Sequence, residues 1–335
     1  MKSKLILHDT QGMLLDLLKT RSVVSGQALA ARAGISRTAV WKMINRLRDE
    51  GYSIDSAPGQ GYRLQSIPDR LLSREVQSGL QTRLLGRRIV YLPEIESTQT
   101  KARELAGNGE PEGCLVIAEK QTQGRGRLQR AWADLPGSIF LTLILRPTTP
   151  PQHAAHFPLL AGVALARTVQ ICLPGLQPQL KWPNDLQLKD KKCAGILAEL
   201  AAEPERIHYL LLGLGLNVNC PARQLPPDIQ DIATSLQMET GESVSRTALV
   251  RVLLQELEAL YFLYQEQGFE PIRAQWKTWT NTLNKPVRIH RMRQDLEGTA
   301  LDIDEHGALI LQQANGGRLT VSSGDVSLRE AQSLA

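Results

Sequence analysis

The stretch Gly124-Arg125-Gly126-Arg127-Leu128-Gln129-Arg130 lies between two apolar segments, residues 114–118 and 138–145, which both read as buried strands. Glycine lets a main chain lie close to a ligand, and arginine presents a planar fork of donors that fits a carboxylate or a phosphate. A loop between a strand and a returning strand holds its arginines over the open face of a sheet. The pattern predicts a binding loop for an anionic small molecule. On this motif alone, an exposed basic turn or a nucleic-acid contact stays open.

Strands and helices alternate on both sides of this loop, as expected for an α/β (α+β) domain with a mixed sheet. A linker with a proline at residues 65–74 precedes this region, and the composition changes again near Asn284. Beyond that point, short alternating apolar segments separated by glycine turns predict a small all-β barrel or sandwich. The predicted domains are therefore residues 1–66, 67–283 and 284–335.

The first predicted domain has the pattern of a helix-turn-helix followed by a wing. A short helix ends at Gly34, Ser36 is placed to cap a second helix, and residues 51–64 alternate and turn like a two-stranded ribbon. The second helix is apolar on one face and polar on the other, and a helix in this position enters the major groove of DNA. The predicted DNA-binding residues are Ser36, Arg37, Thr38, Trp41, Lys42, Asn45 and Arg63. A helical module that binds protein is the alternative.

A second distinctive motif is Leu180-Lys181-Trp182-Pro183-Asn184-Asp185-Leu186. The proline favours an extended residue before it, and the Asn-Asp pair is typical of turns, so a strand ends here and presents polar side chains. A hairpin into the apolar residues 191–200 would bring the Lys192 ammonium close to Asp185. A lysine held against an apolar strand is a candidate for binding an anionic oxygen. A plain β-turn is the alternative.

Two further segments carry weaker signals. The strand expected over residues 208–219 has Gly213 and Gly215 on one face, which leaves room either for a ligand or for tight packing. The stretch Ser97-Thr98-Gln99 opens a helix. Its hydroxyl groups either cap that helix or, together with the amide, bind a neutral polar ligand.

Length, charge and cysteine content limit the classes of protein to which this chain can belong. The 335 residues suffice for two or three domains, and the net charge of +5 permits a polyanionic partner without requiring one. Four scattered cysteines without a CxxC pair predict neither a disulfide framework nor a metal centre, and they favour a reducing cytoplasm. The N-terminus lacks a signal pattern. The apolar residues 157–173 are short and interrupted, so we expect no membrane association.

Taken together and in this order, the motifs resemble the bifunctional biotin–protein ligases that also repress biotin-synthesis genes. The resemblance covers nearly the whole chain. It rests on the winged helix, Glu96-Ser97-Thr98, Gln121 with the Gly-Arg-Gly-Arg run, Lys-Trp-Pro-Asn-Asp, Lys-Lys-x-Ala-Gly-Ile-Leu, Gly-x-Gly-x-Asn and Ser327-Leu328-Arg329. It implies a winged helix-turn-helix, a central α/β ligase domain with a mixed sheet, and a small C-terminal SH3-like β-barrel.

The resemblance also implies a reaction in two steps. Biotin and Mg²⁺-ATP give biotinyl-5′-adenylate and pyrophosphate, and a lysine of the biotin carboxyl carrier protein of acetyl-CoA carboxylase then takes the biotinyl group and releases AMP. As a repressor, the protein is expected to bind the operator DNA of biotin-synthesis genes as a homodimer when it holds the adenylate. The alternatives are an effector-sensing transcription factor without ligase activity and a relative of the lipoate–protein ligases.

The resemblance assigns roles to individual residues and implies no metal site built from the protein alone. The implied catalytic residues are Lys192, Arg125, Arg127 and Asp185. The implied biotin-binding residues are Ser97, Thr98, Gln99, Gln121, Arg125, Gly126, Arg127, Lys192, Gly195, Gly213 and Gly215. The implied ATP-binding residues are Arg127, Arg130, Trp132, Lys181, Asn184, Lys192, Asn217 and Arg329.

This chain departs from the family pattern at three positions. The family loop usually has glycine where this chain has Gln129, and often has a basic residue in place of Leu128, so we expect a stiffer and less basic loop. The family often has asparagine at the position of Gln99. Residues 218–235 contain no aromatic side chain that could stack on adenine, so the partner of the adenine ring is left unassigned.

Overall fold

The computed structural model divides into two units, Met1–Arg70 and Leu71–Ala335. It describes residues 2–20, 23–57, 59–290, 295–322 and 324–328. Both units bury apolar side chains, such as Leu29 and Ile44 in the first and Leu141 and Leu165 in the second.

The first unit is the predicted helix-turn-helix with its wing. Its helices are α1 (Lys2–Thr20), α2 (Gly26–Ala33) and α3 (Arg37–Asp49), followed by the antiparallel strands β1 (Ser53–Ala57) and β2 (Gly61–Ser66). Helix α2 ends because Gly34 adopts a left-handed backbone with φ of 65°. Helix α3 begins where the Ser36 side chain accepts a hydrogen bond from the Ala39 amide, at 3.2 Å, as predicted.

A seven-stranded mixed sheet forms the centre of the second unit. Its strands are β3 (Ile89–Leu92), β4 (Leu115–Ala118), β5 (Ile139–Leu145), β6 (Gln179–Lys181), β7 (Asp185–Leu188), β8 (Lys191–Glu203) and β9 (Arg206–Leu216). Their order in the sheet is β3-β4-β5-β9-β8-β7-β6. Strands β3 and β4 pair in parallel and the other neighbours pair antiparallel, so the predicted mixed sheet is confirmed.

Helices cover the sheet on both faces. They are α4 (Ser73–Gln77), α5 (Thr98–Gly107), α6 (His156–Cys172), α7 (Leu236–Thr240), α8 (Arg246–Gln267) and α9 (Glu270–Trp279). Ala102 and Ala106 of α5 pack on Val116, Ile144 and Leu211 at one face. Helices α6 and α8 join the larger core on the other face, because successive strand residues point to opposite sides.

One segment within the described part of the chain, Pro151–Cys172, is long and apolar enough to cross a membrane by length and composition. It is longer than the apolar run expected from the sequence. Because 67% of this window is buried inside the protein, its apolar character is explained by its place in the core, where α6 packs against α8 and α9.

The C-terminal part of the second unit is the predicted β domain. It consists of β10 (Pro286–His290), β11 (Leu296–Ile303), β12 (Leu309–Gln312), β13 (Arg318–Val321) and β14 (Asp325–Leu328). These strands pair antiparallel in the order β13-β12-β11-β10-β14. Inward-facing residues such as Ile289, Ala300 and Leu311 join the core of the ligase domain, so the small domain shares that core.

Candidate functional site

A cavity of about 470 Å³ opens on the face of the sheet that carries α5. It brings together side chains that are more than 100 positions apart in the sequence. The predicted residues on its wall are Ser97, Thr98, Gln99, Gln121, Arg125, Gly126, Arg127, Arg130, Trp132, Lys181, Asn184, Asp185, Lys192, Gly195, Gly213, Gly215 and Asn217. Arg329 is the other residue predicted for catalysis or for binding biotin or ATP, and it lies outside the described residues.

The glycine–arginine stretch folds as a short hairpin over the mouth of this cavity, and residues 124–132 are called the arginine hairpin below. The Gly126 amide donates to the Arg130 carbonyl at 2.8 Å, and the Trp132 amide donates to the Gly124 carbonyl at 2.9 Å. At the tip, Leu128 and the next residue adopt left-handed backbones, with φ of 54° and 59°. This conformation normally favours glycine, so the hairpin keeps a glycine-like shape without glycine at its tip.

Arg127 reaches from the arginine hairpin to two other parts of the second unit. Its Nη1 donates to Asn184 Oδ1 and to the Gly324 carbonyl, each at 3.3 Å. Both distances are long for hydrogen bonds of a charged donor.

Lys192 and Asp185 meet as predicted. Strands β6 and β7 form one hairpin and β7 and β8 the next, which sets Asp185 opposite Lys181 on one side and opposite Gly195 on the other. Lys192 Nζ lies 2.7 Å from Asp185 Oδ1, and the lysine side chain is 37% exposed while the aspartate is 15% exposed. The ammonium therefore faces the cavity, and the carboxylate holds it from behind. The peptide bond between Trp182 and Pro183 is cis.

Glycines form the floor of the cavity, and the Trp132 indole lies on them. A Cβ atom at Gly195 would come within 2.5 Å of Trp132 Cζ3, and one at Gly215 within 2.6 Å of Trp132 Cε2. The Lys192 ammonium lies 5.2 Å from the centre of the same ring, within cation–π range. Within the described structure, the indole Nε1–H is buried against Gly215 and has no hydrogen-bond partner.

The opposite end of the cavity is polar but uncharged. Gln121 Oε1 accepts hydrogen bonds from the Thr98 amide at 2.7 Å and from the Thr98 hydroxyl at 3.0 Å. Thr142 Oγ1 lies 2.9 Å from Thr98 Oγ1 and 3.0 Å from Gln99 Oε1. The Gln99 amide in turn donates to the Leu211 carbonyl at 3.3 Å. These four side chains are buried and hold one another in fixed orientations. Residues 98, 99, 121 and 142 are called the neutral network below.

The side chains of Ser97 and Thr98 do not cap helix α5, although Ser97 lies at its N-cap position. The Thr98 hydroxyl instead joins the neutral network. The longer side chain of Gln99 also finds its place there, because Gly213 has no Cβ, and a Cβ at that position would lie 2.7 Å from Gln99 Oε1.

Several wall residues were not predicted from the sequence. Thr142 is the main omission, and a signal was present, since it is the polar residue in an otherwise apolar strand, β5. The remaining unpredicted residues are mostly apolar and include Pro226, Ile229, Ile232, Ala233 and Val326. Ile232 is 63% exposed, and its carbonyl accepts from the Lys192 amide at 2.8 Å. Residues 218–235, which contain no aromatic side chain to stack on adenine, therefore contribute aliphatic side chains to the cavity, and these are called the aliphatic wall below.

Asn217 lies at the end of β9, where the floor meets this aliphatic wall. Its amide group donates to the Thr234 carbonyl at 3.0 Å. Its Oδ1 is buried without a hydrogen-bond partner among the described residues, so it presents an acceptor or an oxygen ligand. Cys193 lies beneath the floor. Burial raises the pKa of its thiol far above the ordinary value, so it stays protonated and is no nucleophile.

In the first unit, the predicted DNA-binding residues lie on the outer face of α3 and on β2. Val40, Ile44 and Leu47 fill the inner face of α3. The exposed residues are Ser36, Arg37, Thr38, Trp41, Lys42 and, on β2, Arg63. Trp41 is 54% exposed, which is unusual for a large aromatic side chain. Asn45 is half-buried and accepts from Arg48 Nη1 at 3.1 Å, so part of its side chain is already engaged.

Comparison with known proteins gives three family matches along the chain. The chain matches the model of the HTH domain over residues 11–63, of the Biotin/lipoate A/B protein ligase family over 91–217, and of the Biotin protein ligase C terminal domain over 282–329. It is 39% identical over 306 residues to the bifunctional ligase/repressor BirA of Bacillus spizizenii, covering 91% of this chain and 94% of that protein.

Two further similarities extend the comparison. The bifunctional ligase/repressor BirA of Escherichia coli is 32% identical over 320 residues, which are 95% of this chain and 97% of that protein. The solved structure of a biotin protein ligase from Aquifex aeolicus in complex with biotin and ATP superposes with a TM-score of 0.63 at 26% identity. The superposition covers 73% of this chain and 100% of that one.

Proposed function

This chain belongs to the family of bifunctional biotin ligases and repressors, and from that premise we propose how its two units perform the two activities. The second unit is an ATP-dependent biotin–protein ligase. It forms biotinyl-5′-AMP and transfers the biotinyl group to a lysine of the biotin carboxyl carrier protein of acetyl-CoA carboxylase. The first unit binds the operator of biotin-synthesis genes. Both activities belong in the cytoplasm, where the carrier protein and the DNA are found.

The first step requires two anions to meet. The biotin carboxylate must approach the α-phosphate of ATP, and two unit charges 4 Å apart repel by about 4 kcal/mol near a protein surface. Lys192, Arg125 and Arg127 lie on the wall of the same cavity and supply positive charge from the strand side and from the arginine hairpin. Placing the two reactants in line and stabilising the developing charge are together the main source of rate enhancement in such reactions.

Lys192 is the residue that carries this proposal. Its ammonium faces the cavity above the glycine floor and is held by Asp185 at 2.7 Å. We assign it to the biotin carboxylate and to the α-phosphate oxygens as the new bond forms. The carboxylate oxygen bonds to the α-phosphorus, the bond from that phosphorus to the pyrophosphate oxygen breaks, and pyrophosphate leaves. Asp185 orients the lysine and takes no part in the bond changes.

Biotin lies between the two ends of the cavity in this proposal. The neutral network binds the uncharged ureido ring, because its amide and hydroxyl groups offer both donors and acceptors. Gly195 and Gly215 lie under the Trp132 indole and Gly213 lies under Gln99, so the glycines let these side chains form the surface on which the ring and the chain of biotin lie. The nucleotide lies toward Asn184, Asn217 and the aliphatic wall, with Arg130, Trp132 and Lys181 beside it.

Magnesium would enter with ATP. Mg²⁺ usually keeps several waters and binds one or two protein oxygen ligands together with substrate phosphates. Asp185 and the unpartnered Oδ1 of Asn217 are oxygen ligands of that kind on the cavity wall, so these residues fit the ion. When bound, it neutralises part of the phosphate charge, which adds to the work of Lys192 and the two arginines.

In the second step, the neutral amine of the carrier lysine attacks the acyl carbon of the adenylate. The bond between that carbon and the phosphate oxygen breaks, AMP leaves, and the amine loses a proton to water. The arginine hairpin lies over the mouth of the cavity, so it retains the adenylate between the two steps. This supports a role for Arg127 in holding the intermediate.

Mixing the protein with ATP, biotin and a carrier domain, and weighing the carrier, tests the ligase proposal. We expect the carrier to gain the mass of one biotinyl group. Lys192→Ala should reduce the rate of this gain by about 100- to 1000-fold, the usual cost of removing one group that stabilises transition-state charge. Lys189→Ala is the matched control, because Lys189 lies in the same hairpin, is 79% exposed and pairs with Glu239. An equally active Lys192→Ala variant would contradict the role given to Lys192.

For the repressor activity, we propose that α3 enters the major groove and that Arg63 contacts phosphate from the wing. Formation of the adenylate promotes a homodimer, which then binds two half-sites. Gel shifts with operator DNA should show binding that weakens as salt rises and strengthens when biotin and ATP are both present. Lys42→Ala should weaken binding without changing carrier labelling. Operator binding that ignores biotin and ATP would contradict the proposed coupling.

A further inference from the structure

Besides the apolar core that it shares with the ligase domain, the small β domain contacts that domain through a tight turn, Asp304-Glu305-His306-Gly307-Ala308, called the 304–308 turn below. Two buried ring N–H groups of the core hold its main chain. Trp182 Nε1 donates to the Gly307 carbonyl at 3.0 Å, and His156 Nε2 donates to the Glu305 carbonyl at 2.9 Å. Trp182 is 1% exposed and His156 is 2% exposed. Both contacts are therefore protected from water.

The protonation state of His156 follows from its partners. A carbonyl oxygen only accepts, so Nε2 carries the proton, and Nδ1 accepts from the Tyr264 hydroxyl at 3.0 Å. The Phe269 ring stacks on the imidazole, with centroids 3.9 Å apart and planes 2° from parallel. Burial lowers the pKa of His156 to about 4, so the ring is neutral at neutral pH. One tautomer and one orientation are fixed.

The 304–308 turn lies directly behind the charged end of the cavity. Trp182 precedes Asn184 and Asp185 in the β6–β7 hairpin, and Asp185 holds Lys192. Asn184 Oδ1 accepts from Arg127, and the same arginine donates to the Gly324 carbonyl of the small domain. The small domain thus contacts the charged end from two sides. The neutral network is built on α5, on β5 and on the segment that follows β4, at the other end of the cavity.

We propose that His156 and Trp182 are positioning residues for adenylate formation. By fixing the 304–308 turn, they hold the β6–β7 hairpin in place. Asn184 then stays within hydrogen-bonding distance of Arg127, and Asp185 stays paired with Lys192. The inference rests on the proposed ligase function. It implies that loosening the turn impairs use of ATP and leaves binding of the biotin ring intact, which a general loss of stability would not do.

Two substitutions of His156 distinguish a positioning role from a general loss of stability. The amide nitrogen of glutamine reaches about as far as Nε2, whereas that of asparagine stops near Nδ1. His156→Gln can therefore still donate to the Glu305 carbonyl, and His156→Asn cannot. In biotin-dependent pyrophosphate exchange, we expect kcat/KM for ATP to fall about tenfold or more in His156→Asn and to stay within about threefold of wild type in His156→Gln. The Kd of biotin, by calorimetry, should change by less than about twofold in both.

A glycine pair tests the same idea without altering a ring. Gly307 has φ of +79°, and a Cβ there would lie 2.8 Å from Leu159 Cδ1. Gly316 lies in another turn of the same domain with φ of +82° and no atom within 4 Å of such a Cβ. Gly307→Ala should therefore behave like His156→Asn. Gly316→Ala introduces the same backbone strain without a steric clash, so it should behave like wild type.

Thermal unfolding of each variant accompanies these assays, and if His156→Asn does not fold, the comparison of Gly307→Ala with Gly316→Ala decides. Wild-type kcat/KM for ATP in both His156→Asn and Gly307→Ala would overturn the inference. So would an equal loss of biotin binding and ATP use. A wild-type protein that forms no biotinyl-adenylate in the same assay would overturn the proposed function itself, and with it this inference.

Discussion

The neutral and the charged end of the cavity differ in how their side chains are held. At the neutral end, Thr98, Gln99, Gln121 and Thr142 bond to one another over 2.7–3.0 Å and are at most 8% exposed. At the charged end, Arg127 makes two contacts of 3.3 Å from the arginine hairpin, whose tip is held in a left-handed conformation.

The difference follows from the two ligand groups. A ureido ring keeps its shape and charge through the reaction, so a network that is already in place binds it at little cost in side-chain entropy. The carboxylate and the phosphates change charge and geometry as the reaction proceeds. The arginine side chains of the hairpin can move as these changes occur. Lys192 is the cation whose position stays fixed, because Asp185 holds it. We therefore expect substitutions at the two ends to affect different steps.

Arg127→Gly removes one of the three positive charges of the arginine hairpin and should have a larger effect than a substitution at the neutral end or at the hairpin tip. Loss of a hydrogen bond from a charged group costs about 1.5–3 kcal/mol, so the adenylate should dissociate roughly 10- to 100-fold faster, while biotin binds almost as before. Release of radiolabelled biotinyl-adenylate measures this rate. An unchanged dissociation rate would show that the hairpin does not retain the intermediate.

Thr142→Val should affect the neutral end alone. The change keeps the shape of the side chain but removes the hydroxyl that bonds to Gln99 and Thr98, and an unsatisfied buried polar group costs about 1–3 kcal/mol. Biotin binding, measured by calorimetry, should weaken by about 5- to 100-fold. The KM for ATP should not change. Thr142→Ser restores the hydroxyl and should recover most of the affinity; a loss confined to ATP use would reverse the assignment of the two ends.

Gln129→Gly should have the smallest effect and the opposite sign. A left-handed residue other than glycine costs about 1 kcal/mol, and glycine at this position removes that cost from the hairpin. The adenylate should dissociate more slowly, by up to about fivefold. Asparagine tolerates the same conformation in part, so Gln129→Asn should lie between the two. Faster release from Gln129→Gly would mean that stiffness, rather than shape, makes the hairpin retain its ligand.

Local patterns in the sequence predicted the parts of the site that lie within one motif. Gly124–Arg130 forms a hairpin because alternating glycine and arginine suit a tight turn with charged arms. Lys192 meets Asp185 because both lie in consecutive hairpins, where spacing along the chain determines the register. The cap of Ser36 and the amphipathic face of α3 were likewise predictable from neighbouring residues.

The missed parts depend on contacts between distant segments. Thr142 bonds to Thr98 across 44 positions, and nothing near either residue specifies that pairing. Trp132, Gly195 and Gly215 were predicted site residues, but the contact between them was not, because it depends on the pairing of β8 with β9 at the two glycines, which no local pattern determines. Ser97 was expected to be a possible cap because the sequence cannot indicate that the neighbouring hydroxyl would find a better partner in Gln121.

The central claim is that the Lys192 ammonium acts on the acid group of biotin, and a thermodynamic cycle tests it most directly. The cycle compares the Kd values of biotin and of its alcohol analogue, by calorimetry, for wild type and Lys192→Ala. We predict that wild type prefers biotin by roughly 10- to 100-fold, the value of a charge-assisted hydrogen bond, and that Lys192→Ala loses this preference. A preference for the acid that survives in Lys192→Ala would contradict the account.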